Sequence, residues 1–204
     1  MEGSTKQYFE ERAEGWDANI RPETRERLAR IVRDLGIRPG SHVLDVGSGT
    51  GVLIPLLLEA VGPNGKVTAF DLAEKMLALA EEKYGGGRVE FVQGDIANAP
   101  FPEGTFDEVV CNSSFPHFED RARAVREMFR IIKPGGRVAV FHPMSREAVN
   151  ELHRSLGGVV RDHLLPEDEE MRRLFRDAGF AEIEVADRPD LYLVTARKPR
   201  NGGS

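Results

Sequence analysis

A glycine-rich turn directly after a short apolar segment constrains the fold of this chain more than any other feature. Residues 42–46 have the composition of a buried strand, and Gly47-Ser48-Gly49-Thr50-Gly51 follows without a break. The apolar segment after the turn is long enough for a helix, and Pro55 fits its first turn, where a missing N–H costs little. Glycines at such a turn let a ligand approach the backbone closely. This order of strand, glycine turn and helix predicts a parallel α/β unit that binds a ligand at the turn.

The rest of the chain repeats this alternation of short apolar runs and segments with a 3.6-residue period. Parallel neighbours need a crossover of a dozen or more residues, so the intervening helices indicate parallel strands. Only a short polar turn separates the last two strands, which are expected to pair antiparallel. We therefore predict the α/β class, with a doubly wound, mostly parallel seven-stranded sheet and an antiparallel C-terminal hairpin. The predicted strands are residues 42–46, 66–71, 89–93, 106–111, 137–141, 180–185 and 191–196.

The composition is that of a single globular domain, residues 1–204. Hydrophobic residues make up 40% of the chain and charged residues 30%, which is enough apolar material for a core. The 28 Lys+Arg and 34 Asp+Glu residues give a net charge of −6, which argues against binding to duplex nucleic acid. Cys111 is the single cysteine, so no internal disulfide can form. With no signal-like N-terminus and no membrane span in the sequence, we expect a cytoplasmic monomer or homodimer.

Polar residues stand at the strand ends, where sheets of this kind bind their ligands. Asp71 ends the second predicted strand and is placed to accept hydrogen bonds from both hydroxyls of a ribose. Asp95 follows the third strand, where it can accept a hydrogen bond from the exocyclic amine of an adenine ring. The turn at residues 47–51 suits a carboxylate or a phosphate, because backbone amides at a helix N-terminus are free. Any one of these residues could be only a turn glycine or a helix cap, but their joint register predicts a binding site.

Several of these segments together resemble the class I S-adenosylmethionine-dependent methyltransferases, over roughly residues 40–142. The matching motifs are Val43-Leu44-Asp45-Val46-Gly47-Ser48-Gly49-Thr50-Gly51, Phe70-Asp71, Gly94-Asp95-Ile96, Phe106-Asp107 and Ile132-Lys133-Pro134-Gly135-Gly136. The resemblance implies the Rossmann-like methyltransferase fold, S-adenosylmethionine as cofactor and a small-molecule methyl acceptor. Residues 8–17 also resemble the opening helix of the ubiquinone/menaquinone-biosynthesis-like branch.

The resemblance implies a role for each matching residue. Asp45 and the turn at residues 47–51, with Gly47, Ser48, Gly49 and Gly51, hold the methionine part of the cofactor. Asp71 holds the ribose, and Asp95 with Ile96 holds the adenine.

The resemblance also implies contacts around the adenine ring and the reacting sulfur. Leu72 and Met76 pack on the ring, and Asn112 lies beside the sulfonium. In the quinone-biosynthesis branch the opening segment closes over the cofactor, which makes Tyr8 and Trp16 candidate lid residues.

Two alternative functions remain at this point. A dinucleotide-dependent oxidoreductase also carries a glycine turn and an acid at these places, but its fingerprint needs a third glycine where this chain has Val52. The chain also leaves no residues for a separate catalytic domain. The other alternative is a non-catalytic module that binds S-adenosylmethionine as a sensor or scaffold. Turnover to S-adenosylhomocysteine with a panel of acceptors would distinguish the alternatives.

Three histidines are the candidate catalytic residues on the acceptor side. His117 follows the fourth strand, His142 ends the fifth and His153 lies on the next helix, so we expect them to converge. They are candidates for a general base and substrate anchors. Neutral imidazoles also bind metals or a metal-bearing substrate, but no sequential ligand spacing supports a metal site, and none is assigned. His42, at the opposite edge, is interpreted as structural, and His163 belongs to a pocket lid or to solvent.

Residues 143–166 are predicted to form an apolar lid over the acceptor. Val149, Leu152 and Leu156 share a helical stripe with His153, which places all four on the inner face. Such a lid suits a flat or apolar small molecule rather than a peptide or RNA. Chains of the quinone-methylating branch are usually longer, so its substrate is not carried over here. Residues 1–36 are expected to form a helical cap and residues 200–204 a disordered tail.

Overall fold

One seven-stranded sheet organises the protein, for which a computed structural model describes residues 4–200. The strands are β1 (His42–Val46), β2 (Lys66–Asp71), β3 (Val89–Gln93), β4 (Phe106–Asn112), β5 (Ile132–His142), β6 (Ala181–Arg188) and β7 (Leu191–Arg197). Their order is β3-β2-β1-β4-β5-β7-β6. β1 to β5 are parallel, and β7 pairs antiparallel with β5 and β6, which confirms the predicted class. Most of the predicted tail, residues 201–204, lies outside the described residues, as do residues 1–3.

The helices connect and cover these strands. They are α1 (Thr5–Arg12), α2 (Pro22–Leu35), α3 (Ile54–Val61), α4 (Glu74–Tyr84), α5 (Arg121–Ile131), α6 (Arg146–Leu156) and α7 (Asp168–Asp177). Short 3₁₀ helices lie at Ala13–Asn19, Ile96–Asn98, Phe115–His117 and Gly158–Val160. Local chemistry explains the helix ends: Pro55 stands in the first turn of α3, and the Ser145 hydroxyl accepts the Ala148 N–H at 3.3 Å to cap α6.

Both faces of the sheet are covered, which is why its strands are apolar on both sides. α2 and α3 pack on one face through residues such as Leu28 and Leu57. α5 and α7 pack on the other through residues such as Met128 and Phe175. Each such fully buried side chain contributes roughly 1.5–3 kcal/mol to stability.

The structure departs from the predicted elements in four places. The first is β6, which ends at Arg188, three residues beyond its predicted end. α3 begins at Ile54 rather than directly after the glycine turn, and β5 begins at Ile132, ahead of a register shift against β4. The predicted inner stripe of α6 is wrong for Leu152 and Leu156, whose exposed fractions are 43% and 55%. The buried face of α6 consists of Val149, Asn150 and His153, because the helix packs about one position away from the apolar stripe.

The sheet brings the polar strand ends to one edge. The strand order reverses between β1 and β4, and a crevice opens at such a switch point outside the carboxyl ends of the strands. The segments that follow β1 and β4 therefore face each other across it. Within residues 4–200, no helix combines the length and the apolar character that crossing a bilayer requires.

Candidate active site

A cavity of about 330 Å³ lies at this switch point, between the sheet edge and the N-terminal segment. Its volume is within the range of small-molecule sites. The predicted cofactor residues that line it are Trp16, Gly47, Ser48, Gly49, Asp71, Leu72, Met76, Asp95, Ile96 and Asn112. The sheet therefore gathers residues from four strand ends into one cavity.

The glycine turn after β1 packs closely against the segment that follows β4. Gly47 has φ +68°, and a Cβ atom there would lie 2.3 Å from Cβ and Oγ of Ser114, which follows β4. Gly49 has φ +53° and open space where a Cβ would stand, which leaves room for a ligand. The prediction that the amides of this turn are free is wrong for four of the five. The N–H groups of Gly47 and Ser48 donate to the Phe70 carbonyl, that of Gly49 donates to Asp71 at 2.8 Å, and that of Gly51 donates to the Ser48 carbonyl at 2.9 Å.

Asp45 lies beneath this turn rather than in the cavity wall. Its exposed fraction is 1%, and neither carboxylate oxygen has a hydrogen-bond partner among residues 4–200. Burial, helped by the nearby Asp71 carboxylate, raises the pKa of Asp45 to about 8. A buried acid without a partner is costly. The ammonium group of the methionine part of S-adenosylmethionine would supply the missing donor, so the residues present fit this cofactor.

Asp71 and Asp95 both bond the backbone as well as line the cavity. The Asp71 carboxylate accepts the N–H of Gly49 and that of Ala73, both at 2.8 Å. Burial raises the pKa of Asp71, and the two backbone bonds oppose that effect. Asp95 accepts the Ala97 N–H at 2.9 Å and so caps the short helix that places Ile96 in the wall. Each aspartate thus stabilises the backbone turn in which it lies.

The N-terminal segment covers the cavity through Phe9 and Trp16. Their rings are in edge contact at 5.5 Å, and Phe9 also contacts the His117 ring at 5.0 Å. Tyr8, a predicted lid residue, is not part of the lining, and its ring lies under the Arg12 guanidinium at 3.8 Å. Phe9 is therefore the aromatic lid residue that the sequence did not reveal, although it directly follows Tyr8.

Polar contacts dock this segment on the cofactor side of the sheet. The Glu10 carboxylate accepts the N–H groups of Glu74 and Lys75, at 2.8 and 3.2 Å, in the first turn of α4. Asp17 accepts a hydrogen bond from the Thr50 hydroxyl and pairs with Lys83 at 2.7 Å. A carboxylate at a helix N-terminus stabilises it. These contacts hold the cap against the turn and α4.

The predicted histidines come together at the acceptor end. His117 lines the cavity, whereas His142 and His153 lie behind it, buried, and are not part of its lining. The rings of His117 and His153 are 5.0 Å apart. His163, which the sequence left between lid and solvent, joins the cluster: its Nδ1 lies 3.0 Å from Nδ1 of His117. The contact spans 46 positions of sequence, which no local pattern reveals.

Burial disfavours a positive charge on the imidazoles of this cluster. Burial, followed by the neighbouring His153 and His163, keeps the pKa of His117 well below its usual value. Burial lowers the pKa of His142 to about 3, and its Nε2 has no partner among the described residues. In the part of the chain that the structure describes, no group of three or more His, Cys, Asp or Glu side chains has the geometry to hold a metal ion.

Gly51 and His42 lie outside the cavity lining, whereas Ser113 is part of it. A Cβ at Gly51 would meet Ile54 and Tyr84. His42, at the opposite edge of the sheet, is 2.8 Å from the Thr68 hydroxyl. Ser113, next to Asn112, has φ +56°, a strained conformation of the kind found at functional sites.

Comparison with known proteins identifies the family and agrees with the fold. A family model described as a methyltransferase domain matches residues 44–140. Ubiquinone/menaquinone biosynthesis C-methyltransferase UbiE of Cronobacter sakazakii is 33% identical over 176 residues, which are 72% of this chain and 69% of that protein. Demethylmenaquinone methyltransferase of Staphylococcus aureus is 32% identical over 185 residues, 76% of this chain and 74% of that protein. A S-adenosylmethionine-dependent methyltransferase from Aquifex aeolicus has the same fold, with a TM-score of 0.73 at 24% identity, covering 92% of this chain and 97% of that chain.

Proposed function

The chain belongs to the class I S-adenosylmethionine-dependent methyltransferases, in the branch of the ubiquinone/menaquinone biosynthesis enzymes, and we propose that its acceptor is a small, flat, largely apolar molecule with a hydroxyl group. S-adenosylmethionine supplies a methyl group bonded to a positively charged sulfur, and its transfer is an in-line displacement. The protein must therefore align the acceptor and remove the acceptor's proton.

We assign one contact to each part of S-adenosylmethionine. Asp45 pairs with the ammonium group, and the turn with Gly49 leaves space beside it. Asp71 accepts hydrogen bonds from the ribose hydroxyls with the lone pairs that its backbone bonds leave free. Asp95 and Ile96 bind the adenine. Two observations support these roles: Gly49, Asp71, Asp95 and Ile96 line the cavity, and the buried Asp45 carboxylate lacks a partner among the described residues.

The position of His117 carries the acceptor side of the proposal. It lines the same cavity as Asn112 and stands among the apolar side chains of Phe9, Trp16 and Phe118. A neutral imidazole in an apolar wall can accept a proton from a hydroxyl while the aromatic rings pack on a flat acceptor. His142 and His153 lie behind His117 and act through it, as positioning residues.

The relatives support the same acceptor class. One is named a ubiquinone/menaquinone biosynthesis C-methyltransferase and another a demethylmenaquinone methyltransferase. A reduced quinone ring is flat, apolar and hydroxylated, which matches the wall that Phe9, Trp16 and Phe118 present. We therefore include reduced naphthoquinones and benzoquinones among the acceptors to be tested, as members of the proposed class.

We expect His117→Gln to separate acceptor chemistry from cofactor binding. Loss of a proton-transfer group should lower turnover by roughly 10²- to 10⁴-fold. The affinity for S-adenosylhomocysteine, measured by calorimetry, should stay within about threefold of wild type. His42→Gln is the matched control, because His42 lies at the opposite edge of the sheet. Wild-type turnover in a folded His117→Gln protein would refute the assignment.

A further inference from the structure

His163 makes hydrogen bonds to two other histidines, His117 and His153. Its ring Nδ1 lies 3.0 Å from Nδ1 of His117, and its main-chain oxygen accepts a hydrogen bond from Nδ1 of His153. A carbonyl oxygen can only accept, so His153 carries its proton on Nδ1 and a lone pair on Nε2. Between His117 and His163 one Nδ1 must donate and the other accept. The loop around His163 therefore sets the tautomer of His153 and couples the tautomers of His117 and His163.

The pair also joins two cavities. His117 lines the cofactor cavity, and together with His163 it lines a separate cleft of about 680 Å³ on the outer side, beside Pro116, Asp120 and Arg121. The hydrogen bond between the two rings thus leads from the reaction side to the outer cleft. We propose that His163 is a proton relay, which passes the proton released by the acceptor from His117 to water in the outer cleft.

Burial favours such a relay over a proton held on His117. It lowers the pKa of His117 well below the usual value and lowers that of His163 as well, so a positive charge on either ring is disfavoured. The groups that face the pair are His142 and His153, which lie behind it; Arg121, which opposes a positive charge; and the acids Asp162 and Glu119, which favour one on His163. The charges therefore favour movement of the proton outward.

The transfer balances with neutral rings at its start and end. The acceptor hydroxyl gives its proton to Nε2 of His117 as the acceptor bonds the methyl group and the bond between the methyl group and sulfur breaks. If a ring carbon takes the methyl group, the proton of that carbon returns to the hydroxyl oxygen, so one proton is released in either case. Nδ1 of His117 then gives its own proton to Nδ1 of His163, and Nε2 of His163 releases a proton to water. At the end His117 carries its proton on Nε2 and His163 carries its proton on Nδ1, the reverse of the starting tautomers. Proton exchange with water restores the starting tautomers once the products leave the cavity.

The kinetic test uses His163→Ala and His163→Gln, with His42→Gln as the control. The relay rests on the proposed function, since it needs an acceptor proton. We expect kcat to fall roughly 10- to 100-fold in both variants, with KM for the acceptor and affinity for S-adenosylhomocysteine within about threefold of wild type. Imidazole at tens of millimolar should restore turnover in His163→Ala, where it has space, and not in His163→Gln. Wild-type kcat in both variants, or a loss that imidazole leaves unchanged in folded His163→Ala, would overturn the relay.

A second measurement needs no acceptor and separates the two proposals. Nitrogen-15 NMR of the wild-type protein should show one protonated Nδ1 between His117 and His163, and His163→Gln should shift the titration of His117. Two unprotonated Nδ1 atoms, or an unchanged His117 titration, would overturn the relay whatever the activity. If the wild type binds S-adenosylmethionine but methylates no hydroxylated acceptor, the proposed function fails, and the NMR result alone decides whether the histidine pair exists.

Discussion

At the residue scale, Asp45 links the stability of the protein to cofactor binding. Burial raises its pKa to about 8, above the value near 3.9 expected in the unfolded chain. Between these two values the folded state binds a proton that the unfolded state has lost, so stability falls as the pH rises from about 4 to 8. The same carboxylate, once ionised, is the proposed partner of the cofactor's ammonium group.

We therefore expect Asp45→Asn to stabilise the ligand-free protein and to weaken cofactor binding. Urea unfolding should show a gain in the free energy of unfolding that is larger at pH 8 than at pH 6, by on the order of 1–2 kcal/mol. Affinity for S-adenosylhomocysteine should fall roughly 10- to 150-fold, the loss expected for a charged hydrogen bond. Asp34→Asn, on the exposed side of α2, is the control. An equal effect at both pH values would contradict the buried-acid explanation.

Single residues also show where prediction from the sequence reaches its limit. Asp71 could be predicted to line the cavity because it ends a strand whose carboxyl end meets those of its neighbours at one edge, whereas Ile96 was implied by the family resemblance. Tyr8 and Phe9 could not be distinguished, because the short helix α1 lacks a clear apolar face and its rotation is fixed by contacts with α4 and the 3₁₀ helix. His163 was left open because its partner lies far away in sequence.

At the scale of elements, the turn after β1 depends on close contact with the segment after β4. We expect Gly47→Ala to cost about 2–4 kcal/mol of stability, because its positive φ disfavours a Cβ and the Cβ would overlap Ser114. Gly40→Ala is the matched control: Gly40 also has positive φ, but a Cβ there meets nothing within 4 Å, so about 1–2 kcal/mol is expected. Thermal and urea unfolding measure both values.

A second substitution tests whether overlap with Ser114 causes the extra loss of stability in Gly47→Ala. Ser114→Gly removes the atoms that the new Cβ would meet, so it should recover part of the stability lost in Gly47→Ala, although it also removes the hydrogen bond from Ser114 to the Val46 carbonyl. Equal losses in Gly47→Ala and Gly40→Ala would show that backbone conformation alone accounts for the glycine.

The strands were predicted more accurately than the packing of the helices on them. β2 and β3 have their predicted bounds. In β2 the reason is that its buried residues 67–70 stand between the charged Lys66 and Asp71. α6 also has its predicted cap and length, but its apolar stripe did not show which face is buried. Asn150 is on the buried face because its side chain bonds both the N–H and the carbonyl of Leu165. A contact of that kind is invisible in a hydropathy pattern.

At the scale of the whole molecule, the parallel sheet followed from the spacing of its strands, but the docking of the final hairpin did not. β7 lies between β5 and β6, so the last strand of the chain is the more central one. Its residues Tyr192, Val194 and Ala196 are buried, whereas β6 carries Glu182 and Glu184 and forms the edge. Charged side chains on an edge strand discourage further pairing.

The measurement that tests the central claim most directly is the transfer of an isotope-labelled methyl group from S-adenosylmethionine to hydroxylated aromatic acceptors. The acceptor panel contains reduced naphthoquinones, reduced benzoquinones and, as controls, a peptide and an RNA. We expect a labelled small-molecule product and an equal amount of S-adenosylhomocysteine, with no label in the peptide or the RNA. Label in the peptide or the RNA, or tight binding of S-adenosylmethionine with no labelled product from any hydroxylated acceptor, would contradict the claim.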